Sequence, residues 1–227
     1  PRAARQVDGG GGEGDRRARC GAGEGARGRV RAPGRPLLLA TRSAGKLREL
    51  GPMIRDAGFE PVTLDDLGVA PDPAEDSVEA FETFEENAIA KARYYFACTR
   101  SLGARAPDVV LADDSGLEVR ALGGAPGVRS KRYSGAALEG PALDDANNAK
   151  LMDALRGASD RSAGYVCVAA IKTVGGEWHA RGECGGMMLE APRGSDGFGY
   201  DAYFFSDELK KTFGEATRVE KEAVSHR

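Results

Sequence analysis

Apolar and polar positions follow two rhythms along this chain, and the switches between them mark its elements. Leu37-Leu38-Leu39-Ala40 is a continuous apolar run, so ordered structure is expected from Pro36, beginning with a buried strand. Thr41 to Lys46 reads as a loop, and Leu47 to Ala57 as a helix closed by Gly58. Glu60 to Leu64 is a second candidate strand. Residues 68–76, rich in proline, glycine and acids, read as an exposed loop. Phe81, Phe84, Ala88, Ala92, Tyr95 and Phe96 recur at helical spacing, which predicts one long helix from Ser77 to Thr99. Val109 to Ala112 is a short strand ending in Asp113-Asp114-Ser115-Gly116, and Leu143 to Leu155 is another helix. Tyr165 to Ile171, Trp178 to Cys184 and Ala202 to Phe205 complete the strands. Strands and helices alternate early and strands crowd later, which points to an α/β fold with a mixed sheet.

Composition changes that picture at one end only. The 227 residues are 41% hydrophobic and 30% charged with a net charge of −3, near the globular average. No apolar run approaches ~18 residues, so collagen, a disordered acidic chain and a membrane protein are excluded as classes. Residues 1–35 are Gly/Arg-rich and carry +5, leaving −8 on the rest. This tail has no Leu, Ile, Phe, Tyr or Trp and is expected to be disordered. Its charge permits weak contact with RNA or anionic surfaces. It starts without Met and lacks the apolar core of a signal peptide, so no export signal is expected and the cytoplasm is the default location. Cys20, Cys98, Cys167 and Cys184 show no paired spacing and His occurs twice, so neither zinc nor a disulfide framework is expected.

Five segments could carry chemistry. Thr41 to Lys46, between strand and helix, offers free N–H groups and a cation to phosphate, although alone it is equally an ordinary turn. Glu79, Thr83, Asn87 and Lys91 recur every four residues, a polar stripe about 18 Å long at ~1.5 Å per residue. That stripe is either a solvated face or a place for a metal and a phosphate. Asp113 and Asp114 are costly to bury unless paired or metal-bound, and neighbouring strand positions point to opposite faces, so only one should enter a given site. Gly194 to Asp201, with Phe198 and Tyr200, is a hairpin turn or an aromatic plate for a base. Lys221, Ser225, His226 and Arg227 form a donor-rich cluster that by itself resembles a helix end.

In this order the segments resemble the inosine/xanthosine triphosphate pyrophosphatase (Ham1-like) family from Pro36 to Arg227. The resemblance rests on LLLATRSAGKLREL at 37–50, TFEENAIAKAR at 83–93, LADDSGLEVRALGGAPGVRSKRYSG at 111–135, NNAKLM at 147–152, PRG at 192–194, GFGYDAYF at 197–204 and KTFGEATRVEKEAVSHR at 211–227. It implies an elongated mixed β-sheet with flanking helices, two lobes around a central substrate cleft, and a homodimer. The implied reaction is Mg²⁺-dependent hydrolysis of dITP/ITP and XTP between the α- and β-phosphates, giving monophosphate and pyrophosphate and cleansing the nucleotide pool.

The resemblance also implies roles. Thr41, Arg42, Ser43, Ala44, Gly45 and Lys46 match the phosphate-binding loop, with Lys91 a second phosphate cation. Asp114 matches the proton acceptor and a metal ligand, Glu79 the second metal carboxylate, Asp113 a supporting acid, and Ser115 a substrate contact. Phe198, Gly199, Tyr200 and Asp201 match the base-binding segment, and Lys221, His226 and Arg227 the cluster at the purine edge. Departures are Ser43 for the usual Asn, Ala202 for Pro, Glu222 for Asn, and Ser77-Val78-Glu79-Ala80-Phe81 without the usual second acid and glycine. The final helix that usually follows Arg227 is expected to be missing, which would leave Arg227 prone to fray. Two other readings are a Maf-like nucleotide pyrophosphatase and a nucleic-acid-binding protein using the basic tail. The first leaves GFGYD and the SHR ending unexplained. The second conflicts with the −8 body and its lack of a basic, aromatic-interleaved stripe.

Overall fold

A computed structural model describes residues 34–227, so nearly all of the basic tail, with Cys20, lies outside the described residues. The elements are β1 (Arg35–Leu39), α1 (Ala44–Asp56), β2 (Phe59–Val62), α2 (Glu75–Val78), α3 (Phe84–Thr99), β3 (Val109–Val119), α4 (Gly140–Ala154), β4 (Ser162–Thr173), β5 (Gly176–Met188), β6 (Phe204–Ser206) and α5 (Arg218–Val224). One six-stranded sheet runs in the order β2-β1-β3-β4-β5-β6. Its first three strands are parallel and the rest pair antiparallel, the mixed α/β sheet that the sequence pattern predicts.

Period-two alternation sorts the side chains between two helices. Leu38, Ala40, Val110 and Ala112 meet the stripe of α3, namely Phe84, Ala88, Ala92 and Tyr95. Leu37, Leu39 and Val109 face the other way and pack on Leu50 and Ile54 of α1. A second apolar cluster gathers Leu117, Val119, Leu151, Leu155, Tyr165, Met188, Phe204 and Phe213. Each large side chain in these clusters stabilises by roughly 1.5–3 kcal/mol on full burial.

Two expectations are corrected. The long helix begins at Phe84 and not at Ser77, because Thr83 adopts an extended backbone and caps it by accepting from the Glu86 N–H. Glu79 and Thr83 therefore lie off the helix, and the stripe of four becomes Asn87 and Lys91 approached by Glu79 from a separate segment. The paired aspartates lie inside β3 and not at its end, since the antiparallel ladder with β4 continues through Asp113↔Ala169 and Asp114↔Val168 to Val119. What ends beside them is β1. Its register with β3 stops at Leu39↔Leu111 and a last bond from the Ala40 N–H to the Leu111 carbonyl. Two residues further along, the Asp113 carbonyl faces a side of β3 that no strand covers.

Candidate active site

The loop after β1 is shaped by hydroxyls. Ser43, standing where the family pattern has Asn, is the N-cap of α1, and its side chain accepts from the Lys46 N–H at 3.4 Å. Thr41 Oγ1 accepts from the Ser43 N–H at 3.2 Å. Lys46 leaves the first turn of α1 and its Nζ reaches Asp113 Oδ2 at 2.8 Å. Gly45 has to lack a side chain, because a Cβ there would lie 2.6–2.8 Å from the ring of Phe198. The candidate phosphate loop and the candidate base segment thus touch through this residue.

The uncovered edge of β3 is filled by cations. Lys46 Nζ at 3.4 Å and Lys91 Nζ at 3.1 Å both donate to the Asp113 carbonyl. Alternation sends Asp113 to the α1 face and Asp114 to the α3 face, where Asn87 Nδ2 donates to Asp114 Oδ2 at 2.9 Å. The two side chains leave β3 on opposite faces, as alternation requires, and both feel the charges of Lys46 and Lys91. Asp113 is fully buried. Burial raises its pKa, but Lys46, Arg227 and Lys91 outweigh that and hold it at about 2. Burial pushes the Asp114 carboxyl above its ordinary range against the pull of Lys46, Lys91 and Asn87, and the Glu79 charge pushes the same way. Glu79 forms a close ion pair with Lys91 and a longer one, 3.7 Å, with Arg132. Two acids of opposite shift, beside two ammonium groups, suit one group that keeps its charge and one that exchanges a proton.

Mg²⁺ takes oxygen ligands and commonly uses one or two carboxylates with substrate phosphates completing its shell. Asp114 and Glu79 supply such oxygens, and the repulsion between them is what a cation relieves. Asp113 Oδ1 is buried without a hydrogen-bond partner. Among the described residues no group of three His, Cys, Asp or Glu forms a closed cage. Two carboxylates suit an ion whose remaining ligands come from phosphate and water.

One turn further along α1, a second charged network assembles on Glu49. Lys221 Nζ donates to Asp201 Oδ2 at 2.6 Å and to Glu49 Oε1 at 2.8 Å. Arg227 donates to Glu49 Oε2 at 2.5 Å and to Ser115 Oγ at 2.8 Å, with Asp113 Oδ2 3.9 Å from its Nε. Its side chain is 5% exposed, so the expected fraying of Arg227 is not observed. The ring of Phe198 lies 5.2 Å from Lys221 Nζ and 5.6 Å from the Arg227 guanidinium carbon. His226 stacks on Tyr165 at 4.8 Å, its Nδ1 lies 3.9 Å from Cys184 Sγ, and its buried Nε2 has no partner. Burial, with Arg227 and Lys221 nearby, lowers its pKa well below the usual imidazole value, so it is neutral at pH 7.

Two expected contacts are not brought to the site as side chains. Arg42 is committed to Glu75 by two bonds of 2.9 and 2.7 Å and to the Val69 carbonyl. Tyr200 is 5% exposed and donates to the Ser130 carbonyl at 2.8 Å, so the aromatic plate reduces to Phe198. Asp201 is structural in its contacts, accepting from the Phe198 N–H, Tyr165 Oη and Lys221. Gly199 is fixed from α4, its N–H on Asp144 and its carbonyl on Asn148 Nδ2. Sequence reasoning missed Glu49, whose one signal is its place three residues after Lys46 on the same helix. It also missed why Gly116 is glycine: a Cβ there would lie 2.4 Å from both the Gly127 carbonyl and Ser130 Oγ.

Comparison with known proteins shows what the sequence and fold resemble. The Ham1 family model matches residues 37–227. A dITP/XTP pyrophosphatase of Syntrophobacter fumaroxidans is 45% identical over 192 residues, 84% of this chain and 76% of that protein. One from Clostridium perfringens is 40% identical, covering 84% and 90%. The structure of the Staphylococcus aureus Ham1 protein aligns with a TM-score of 0.69 at 33% identity, covering 85% of this chain and 92% of that one. A nucleoside-triphosphatase / dITP/XTP pyrophosphatase from Mycobacterium abscessus aligns at 0.62 and 36% identity, covering 85% and 94%. With its sheet, its motifs and its length from Leu37 onward all matched, the chain belongs to the Ham1 family.

Proposed function

We propose that this chain hydrolyses dITP/ITP and XTP to the monophosphate and pyrophosphate with Mg²⁺. Relatives named for dITP/XTP hydrolysis support the reaction class. The observation that carries the assignment to these residues is the convergence of Lys46 and Lys91 on one carbonyl beside Asp114. A triphosphate carries about four negative charges, and hydrolysis requires that charge to be gathered and the α-phosphorus opened to attack. The two ammonium groups, with the free N–H groups of the Thr41–Lys46 loop, bind and orient the phosphates. Asp114 accepts the proton of the attacking water. The water oxygen bonds to the α-phosphorus, the bond to the bridging oxygen breaks, and its electron pair leaves with pyrophosphate. Asp114 and Glu79 would hold Mg²⁺, which supplies charge neutralisation on phosphate and a lower pKa for bound water. Asp113 stays ionised and keeps Lys46 in place.

Lys221 and Arg227 offer only donors to a base edge, and an oxygen at purine position 6 accepts from them. Adenine presents an amino donor there, and stranding buried donors can discriminate by ~10⁴-fold. A homodimer and a cytoplasmic location accompany this reading. The test is pyrophosphate release from dITP, ITP, XTP, GTP and ATP with Mg²⁺ on one preparation, with sedimentation for the dimer. The expected order is dITP, ITP and XTP good, GTP poor and ATP worst. Equal efficiency on ATP and ITP overturns the role of the terminal cluster.

A further inference from the structure

One buried side chain in the polar stripe has no role in the reaction as derived so far. Asn87 is 1% exposed, and its amide makes three bonds. Oδ1 accepts from the Phe81 N–H at 3.0 Å, while Nδ2 donates to the Phe81 carbonyl at 3.2 Å and to Asp114 Oδ2 at 2.9 Å. The two peptide groups of Phe81 dictate which way the amide faces, since a flipped amide would set its oxygen against a carbonyl and a carboxylate. With that orientation fixed, the remaining N–H is aimed at Asp114 Oδ2.

Phe81 lies two residues after Glu79, in the irregular stretch between α2 and α3. Phe81 is 46% exposed, outside the buried core. We propose that Asn87 is a positioning residue that sets the separation of Glu79 and Asp114, by clamping the Phe81 backbone and the Asp114 carboxylate with one amide. Asp114 comes from the middle of a ladder, whereas Glu79 is the C-cap of the one-turn helix α2, where the chain turns irregular. A shared cation requires the second to be brought to the first. The other oxygen, Oδ1, accepts from the Ser115 N–H at 3.0 Å, so the carboxylate is held at both ends. This inference rests on the metal assignment to Asp114 and Glu79 made above.

The test uses the full-length enzyme without nucleotide. Mn²⁺ binding is measured directly by calorimetry for the parent, Asn87→Ala and Phe81→Ala, and hydrogen exchange of the Phe81 amide is followed in the parent. Asn87→Ala is expected to weaken Mn²⁺ binding at least tenfold, whereas Phe81→Ala, which keeps the peptide groups, changes it less than twofold. At saturating Mg²⁺ the KM of Asn87→Ala for dITP is expected to stay within about threefold of the parent. The Phe81 amide is expected to exchange as slowly as amides of α3. Parent-like Mn²⁺ affinity in folded Asn87→Ala, an equal loss in Phe81→Ala, or fast exchange at Phe81 each overturns the clamp. If Asn87→Ala does not fold, Asn87→Ser removes the same bonds and decides by the same criterion. A parent that binds no Mn²⁺ overturns the metal assignment and the proposal together, so the two failures are told apart.

Discussion

Gly45→Ala probes the contact that joins the two halves of the site. An alanine Cβ at this position would lie 2.6, 2.7 and 2.8 Å from three carbons of the Phe198 ring. Carbon atoms rest at about 3.5–4.0 Å, so the ring has to retreat by about 1 Å. The Arg227 guanidinium now sits 5.6 Å from the ring centre, and cation–π attraction fades beyond about 6 Å, so a retreat of that size takes the ring out of its reach. Overpacking of this kind costs about 1–3 kcal/mol, which for a domain of this size lowers Tm by about 2–4 °C per kcal/mol. A displaced base platform costs a further ~1–3 kcal/mol of binding. KM for dITP and XTP is expected to rise about 5- to 150-fold together, with kcat changed less because the ring that retreats, Phe198, belongs to the base segment. Steady-state pyrophosphate release and a thermal melt on the same sample measure both effects. Phe198→Leu introduced into Gly45→Ala should recover part of the lost Tm but none of the lost KM. The reasoning is refuted by a Gly45→Ala enzyme whose KM for both nucleotides and Tm match the parent's.

Asp114→Asn is expected to keep the fold and lower kcat by roughly 10²-fold or more, since it removes the proton acceptor, and near-parent turnover at saturating Mg²⁺ rejects the assignment. Glu79→Gln should shift the Mg²⁺ titration to higher concentration, and an overlaid titration would sink its place as a ligand. The depressed pKa of His226 gives stability a pH dependence of defined sign. Below the unfolded imidazole value of about 6.5 the unfolded chain takes up a proton that the folded chain refuses, so stability falls as pH drops below about 6.5 and is constant above it. His226→Phe, which can still stack on Tyr165, should flatten the Tm profile between pH 7.5 and 5.5, and an unaltered slope assigns that dependence elsewhere.

The elements were legible where periodicity was strong. The buried Leu37–Leu39 run, the α3 stripe from Phe84 to Tyr95 and the long antiparallel strands stand close to where their patterns put them. The failures have local causes. Phe81 extended the helical rhythm backward past Thr83, whose backbone is extended and whose hydroxyl caps the helix by accepting from the Glu86 N–H. The end of β1 and the continuation of β3 depend on which strand runs out first, a property of pairing and not of either segment alone. Motif resemblance located Asp114, Lys46, Lys91 and the terminal cluster, but it could not separate side chains that face the site from those that build it. Tyr200 and Arg42 are settled by a carbonyl at Ser130 and a carboxylate at Glu75, partners 70 and 33 residues away.

Lys46 and Glu49 are neighbours on one face of α1, one turn apart. The first is the proposed phosphate cation, and the second holds the two cations proposed for the base. On the proposed roles, an attempt to re-engineer base preference at Lys221 or Arg227 perturbs Glu49, and through one helical turn the lysine that orients phosphate. Selectivity and rate are mechanically geared in this scaffold. Variants chosen for a new base should arrive slow, and their recovery should come from second changes along α1 before any in the base segment.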